Sequence, residues 1–175
     1  MKASTGHRNL VNFVLFQGGW IFVAVRHDNL AAAVALSLVA LHLLTISREP
    51  LREGVFILIA TLLGSAMDSL WLQLGLIRFA MPPGPLIPLW LIALWALFVT
   101  TLWHSLYGLV KSRWRWVLPP VAGPFAYFSA ARLGALEGPQ TLLEWGLLAL
   151  GWWLLFPLLA KLTAQFRPPH ERCIA

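Results

Sequence analysis

Charged residues are scarce in this sequence. Asp, Glu, Lys and Arg make up 11% of its 175 residues, where a soluble domain carries about 25%. So little charge excludes a soluble domain. Cysteine is nearly absent too: Cys173 alone can build neither an intramolecular disulfide nor a thiolate metal cluster. Catalytic signatures are also missing. No HExxH, GxSxG, Walker or CxxC pattern occurs, so the familiar zinc, serine and nucleotide chemistries leave no mark. No convincing internal repeat stands out, although a three-plus-three arrangement of spans would give inverted halves.

What the sequence has instead is apolar length. Hydrophobic residues account for 59%, with ten Trp and ten Phe, the aromatic load expected at membrane interfaces. Six apolar segments run over 9–25, 30–47, 54–78, 88–110, 117–135 and 140–166, each long enough to span a bilayer or nearly so. Their links are short: RHDN, SREPLRE, a Pro-Gly turn, KSRWRW and EGPQ. Pro50, Pro82, Pro83, Pro85 and Pro139 sit in or beside them, where they interrupt no helical bond. Such links leave no room for a soluble domain.

The net charge of +6 does not imply nucleic acid, because the basic residues fall in loops and form no soluble basic face. They sort by topology. Lys2, Arg8, Arg48, Arg52, Lys111, Arg113, Arg115, Lys161, Arg167 and Arg172 fall on one side, and Arg26, Arg78 and Arg132 on the other. Ten against three places both termini in the cytoplasm by the positive-inside rule. The start resembles a signal peptide, but its cleavage pattern is poor, and a retained first helix is expected. The expected fold is therefore all-α: residues 1–175 as one domain, a polytopic membrane bundle of six transmembrane helices.

Asp68 is the residue least at home in such a bundle. It lies ten residues from Arg78, about 15 Å along a helix, which is roughly the midplane of a ~30 Å hydrocarbon core. A charge there normally faces protein or water and often has a role. Thr61, Gly64, Asp68, Trp71 and Gly75 form one helical stripe, whose small residues invite a neighbouring backbone. Asp68 is expected to face protein. The structural alternative is a carboxyl bonded to Gln17, Tyr127 or a backbone carbonyl.

Other polar residues stand out less. Asn12 and Gln17 are about 140° apart around the first helix and cannot serve one neighbour. His42 reads as a hydrogen-bonded packing residue, and His104, near the cytoplasmic interface, could act as acid, base or ligand. These two histidines lie on different helices without an i,i+4 partner, so no metal or cofactor is expected. Pro120, Gly123, Pro124, Tyr127, Ala131 and Gly134 make a stripe in the fifth segment, and its irregular backbone suits a pocket wall against the third segment or a cavity. Glu144 could pair with Arg132. Asp68 and His104 are the catalytic candidates, and Gln17, His42, Trp90 and Tyr127 the cavity-lining ones.

FQGGW at 16–20, SAMDSLWLQLGL at 65–76, PLWLIALWALFVTTLWHSL at 88–106 and GPFAYFSAARLGAL at 123–136 resemble a family of small bacterial inner-membrane proteins labelled as a domain of unknown function. The resemblance implies a bacterial, multi-pass protein, and it carries no catalytic residue over. The leading expectation is a lipid-handling accessory protein with an apolar intramembrane cavity. The alternatives are a membrane-embedded enzyme using Asp68 and His104, a proton-coupled transporter using Asp68, and a structural subunit. Membrane lipids are the expected partners. Homo-oligomerisation and a membrane-protein partner stay open.

Overall fold

The apolar segments fold into seven α-helices in a computed structural model that describes residues 5–80 and 84–168. They are α1 (Thr5–Arg26), α2 (Asn29–Thr45), α3 (Pro50–Gln73), α4 (Leu89–Trp103), α5 (Tyr107–Lys111), α6 (Pro119–Arg132) and α7 (Leu142–Phe166), with a 3-10 turn at Arg113–Trp116. The described residues contain no strand beyond one isolated bridge. Three helices, α1, α3 and α7, are long and apolar enough to cross a membrane, while α2 and α4 are apolar but shorter. Lys2, Pro82, Pro83, Arg172 and Cys173 lie outside the described residues.

The centre of the bundle is α4. Eleven of its fifteen residues are buried, as expected of a helix that is apolar all round. It packs against α1, α2 and α3, and α7 completes the core on the side of α3. Three indoles lock these helices together. Trp95 of α4 covers Gly64 of α3, Trp71 of α3 covers Gly151 of α7, and Trp152 of α7 covers Gly123 of α6. A Cβ at any of the three glycines would collide with the ring. Small residues thus admit large flat ones, the packing expected where lipid offers no hydrophobic drive. Of the two expectations for the fifth segment, close approach to α3 gives way to packing of α6 on α7, where Trp152 fills the Gly123 notch, while Gly123 and Tyr127 do line a cavity.

Two expected segments change length, for local reasons. The third stops at Gln73 and not near residue 78. Gly75, at φ +74, takes the left-handed conformation that closes a helix. Its N–H donates to Leu72 O and that of Leu76 to Trp71 O, the paired bonds of a Schellman cap. Gly134, at φ +81, caps α6 in the same way, with bonds to Ala131 O and Ala130 O. Beyond the caps, Arg78 and Glu137 exchange both backbone hydrogen bonds, at 2.9 and 2.8 Å. The fourth segment splits at His104, whose φ −124, ψ −100 is not helical, so α4 and α5 replace one long helix.

Two helix starts, those of α2 and α7, are capped by short polar side chains. Asp28 Oδ1 accepts from Ala31 N–H at the start of α2, and that bond, with Arg26 beside it, holds the Asp28 carboxyl below its usual range. Glu144 does not pair with Arg132 as expected. It completes a capping box with Thr141 and also accepts from Gln140 N–H.

The indole sockets make a direct prediction. Gly151→Leu should overfill the Trp71 site and lower stability by about 1–3 kcal/mol. Gly146→Leu, with nothing within 4 Å of its would-be Cβ, should not. Thermal unfolding in detergent compares the two, and equal melting temperatures would contradict the socket.

Candidate functional site

Two polar clusters are buried in this apolar bundle, and each draws on three or more helices. The first surrounds Asp68, which is fully buried. Trp95 Nε1–H donates to its Oδ2 at 2.7 Å, and the Tyr127 hydroxyl donates to its Oδ1. Gly64, one turn back on the same stripe, lets Trp95 lie close enough to reach the carboxyl. Tyr127 reaches it from α6. The carboxyl therefore faces protein, and its partner is Tyr127, one of the expected three, together with an indole that sequence spacing did not suggest.

Its depth differs from the expectation. Counting to Arg78 put Asp68 at the middle of a span, but the Gly75 cap ends α3 at Gln73. Asp68 stands five residues from that end, about 7.5 Å at helical rise. It is nearer the end of α3 than its middle.

Asp68 also forms part of the wall of a cleft of about 540 Å³. Trp90, Trp95 and Phe98 of α4 line it together with Trp152 and Phe156 of α7. Phe16 and Gln17 of α1 stand on one side, and Gly123 and Tyr127 of α6 on the other. Four candidates from the sequence, Gln17, Asp68, Trp90 and Tyr127, thus come together here. Trp95 and Trp152 stack at 5.4 Å, and Phe98 meets both edge-on, at 5.6 and 5.9 Å. Few polar groups face the space, which has the volume and apolar character usual of small-molecule pockets.

His42 and His104 do not take part in it. They meet at the other end of α3, around Glu53. Nε2 of His42 is 2.8 Å and Nε2 of His104 2.9 Å from the same oxygen, Glu53 Oε1. Their rings lie 4.8 Å apart, edge to face. His42 and Glu53 are each 1% exposed and His104 9%. Asn12 completes the set: Nδ2 is 3.3 Å from His42 Nδ1 and donates to Thr100 Oγ1 at 3.1 Å. Its Oδ1 accepts from Ser105 Oγ and Ser105 N–H. The break in α4 at His104 frees that N–H, and Asn12 takes it up, as a buried donor requires.

Glu53 is the residue that sequence reasoning missed. It fell in the link SREPLRE, yet α3 begins at Pro50, a favoured first helical position. The available signal was periodicity, since Glu53, Phe56, Ile57 and Ala60 follow the i, i+3, i+4, i+7 pattern and all are buried. Among the described residues, His42, Glu53 and His104 are the one group of His, Cys, Asp or Glu whose donor atoms converge closely enough to share an ion.

A family model described as a protein of unknown function, DUF2878, matches residues 9–158. The chain belongs to that family. The DUF2878 match includes every residue of both clusters, from Asn12 to Tyr127. No curated protein and no solved structure matches the chain.

The Asp68 geometry predicts different outcomes for two substitutions. An indole N–H only donates, whereas a tyrosine hydroxyl also accepts. Asp68→Asn can therefore offer Oδ1 to Trp95 and Nδ2–H to Tyr127, and should melt near wild type. Asp68→Leu leaves two buried groups unpaired, at about 1–3 kcal/mol each, and should melt well below. Thermal melts in detergent that place the two variants together would refute the arrangement.

Proposed function

We propose that this protein is a multi-pass protein of the bacterial inner membrane that holds the apolar chain of a membrane lipid in the cleft between α1 and α6. The observation that carries this reading is the cleft itself: aromatic, about 540 Å³, with one carboxyl held in its wall by Tyr127 and Trp95. Three helices of membrane length surround or adjoin it. Aromatic walls suit a hydrocarbon chain, and the few polar groups suit orientation of one hydrogen-bonding group. Gln17, an exposed amide in the lining, would meet a hydroxyl, ester or amide of the lipid, while Asp68 stays behind Tyr127 and Trp95 and fixes their positions.

Six spans with both termini in the cytoplasm are part of the proposal. Helix ends favour this: Glu53 at the start of α3 meets the ends of α2 and α4, while Arg78, beyond the end of α3, meets Glu137 beyond α6. Arg48, Arg52, Lys111, Arg113 and Arg115 belong to the Glu53 end, which the positive-inside rule turns to the cytoplasm. Asp68 and His104 have separate partners, so a direct acid–base pair between them finds no support.

Ala126 lines the cleft from α6. Ala126→Trp should occupy the space, and lipid that co-purifies with wild type, identified by mass spectrometry, should be lost from the folded variant. No stoichiometric lipid on wild type, or unchanged lipid on the variant, counts against the reading. For topology, alkaline phosphatase fused at the C-terminus should be inactive, and an active fusion would overturn the six-span arrangement.

A further inference from the structure

The cluster at Glu53 is outside the cleft and has its own chemistry. We propose that His42, Glu53 and His104 bind one divalent first-row transition ion of the Zn²⁺ or Fe²⁺ type. Two imidazole nitrogens and a carboxylate oxygen form a donor set that such ions favour. The three donor atoms lie within 4.8 Å of one another. Around an ion with ligand bonds of ~2.0–2.1 Å, tetrahedral donors stand about 3.3 Å apart. To reach that edge, the observed His–Glu separations of 2.8 and 2.9 Å need to open by a few tenths of an ångström. The two imidazole donors, within 4.8 Å of each other, need to close by up to about 1.5 Å.

The surroundings favour an ion over a simple hydrogen-bonded packing cluster. Both histidines present the same nitrogen, Nε2, to a single oxygen, although they come from different helices. The α4 backbone leaves helical geometry at His104 itself. A carboxylate as buried as Glu53 calls for compensating charge, which the contacts that hold it supply only if His42 or His104 is protonated. An ion would supply that charge directly.

Asn12 provides the outer contact that metal-binding histidines usually have. With Oδ1 facing Ser105, its Nδ2 faces His42 Nδ1; this leaves the proton on Nε2, which then donates to Glu53. Turning the amide over presents Oδ1 to a proton on Nδ1. That frees the Nε2 lone pair for the ion and lets Nδ2–H donate to Ser105 Oγ, in exchange for the present bonds of Asn12 with Ser105 N–H and Thr100 Oγ1. Ion binding is thus coupled to the orientation of one amide. Three protein ligands leave a further position for water or another small ligand.

The test uses the full chain, purified in detergent without a histidine tag. Elemental analysis of the isolated protein should find close to one Zn or Fe per chain. After chelation, Co²⁺ should bind with the visible ligand-field bands of an N/O site. His42→Asn, Glu53→Gln and His104→Asn should each abolish the bands or weaken binding severely. Asn12→Ala should weaken Co²⁺ affinity about 10–100-fold without removing it. Ala126→Trp should leave metal binding unchanged, which separates this site from the cleft. Folded wild-type protein that binds none of Zn²⁺, Fe²⁺ or Co²⁺ would overturn the proposal, whatever the stability of the variants. So would unaltered binding in all three ligand variants.

Discussion

The Trp95 indole is the contact on which most of the bundle depends. Its face covers Gly64 of α3, its N–H satisfies Asp68, its other face stacks with Trp152 of α7, and its edge borders the cleft. One side chain on the central helix thus sets the spacing of α3, α4 and α7. An indole suits this role because it combines a large flat apolar surface with a single donor. Replacing it by another large hydrophobe would keep the volume and lose the bond to Asp68.

The buried polar groups of the two clusters are concentrated and cross-paired. Asn12, Thr100 and Ser105 support His42, and Trp95 and Tyr127 hold Asp68. In a medium without water each unpaired group carries a large desolvation penalty, so such clusters specify how the helices are arranged. Two clusters at different heights along α3 also fix its rotation. Turning the helix would remove both carboxyl groups from their partners at once.

Much of the architecture was legible because membrane-length apolar runs are strong signals. The all-α bundle, the helical segments and a protein-facing Asp68 all followed from periodicity. What was lost depended on single residues at helix ends. Gly75 ended α3 earlier than its apolar run suggested, which moved Asp68 away from the middle of the helix. Pro50 began α3 earlier than expected, which turned Glu53 from a link residue into a buried ligand-type group. The break at His104 is followed by a bond from Ser105 N–H to Asn12, ninety-three positions away in sequence, and no local pattern reports such a contact. The turns Leu74–Arg78 and Leu133–Glu137 carry the similar sequences LGLIR and LGALE, a likeness whose meaning appears only in their mutual pairing.

The placement of the two clusters along the chain sets an order for biosynthesis. Every group around Glu53 lies within the first 105 residues, so that cluster can close once α4 has been made. Asp68 must wait for Tyr127, and α6 must wait longer still, because Trp152, which fills its Gly123 notch, belongs to the last helix. A nascent chain paused after α5 would therefore carry a finished histidine–carboxylate centre beside a carboxyl that lacks its phenol. That wall would stay half-built until α7 arrives.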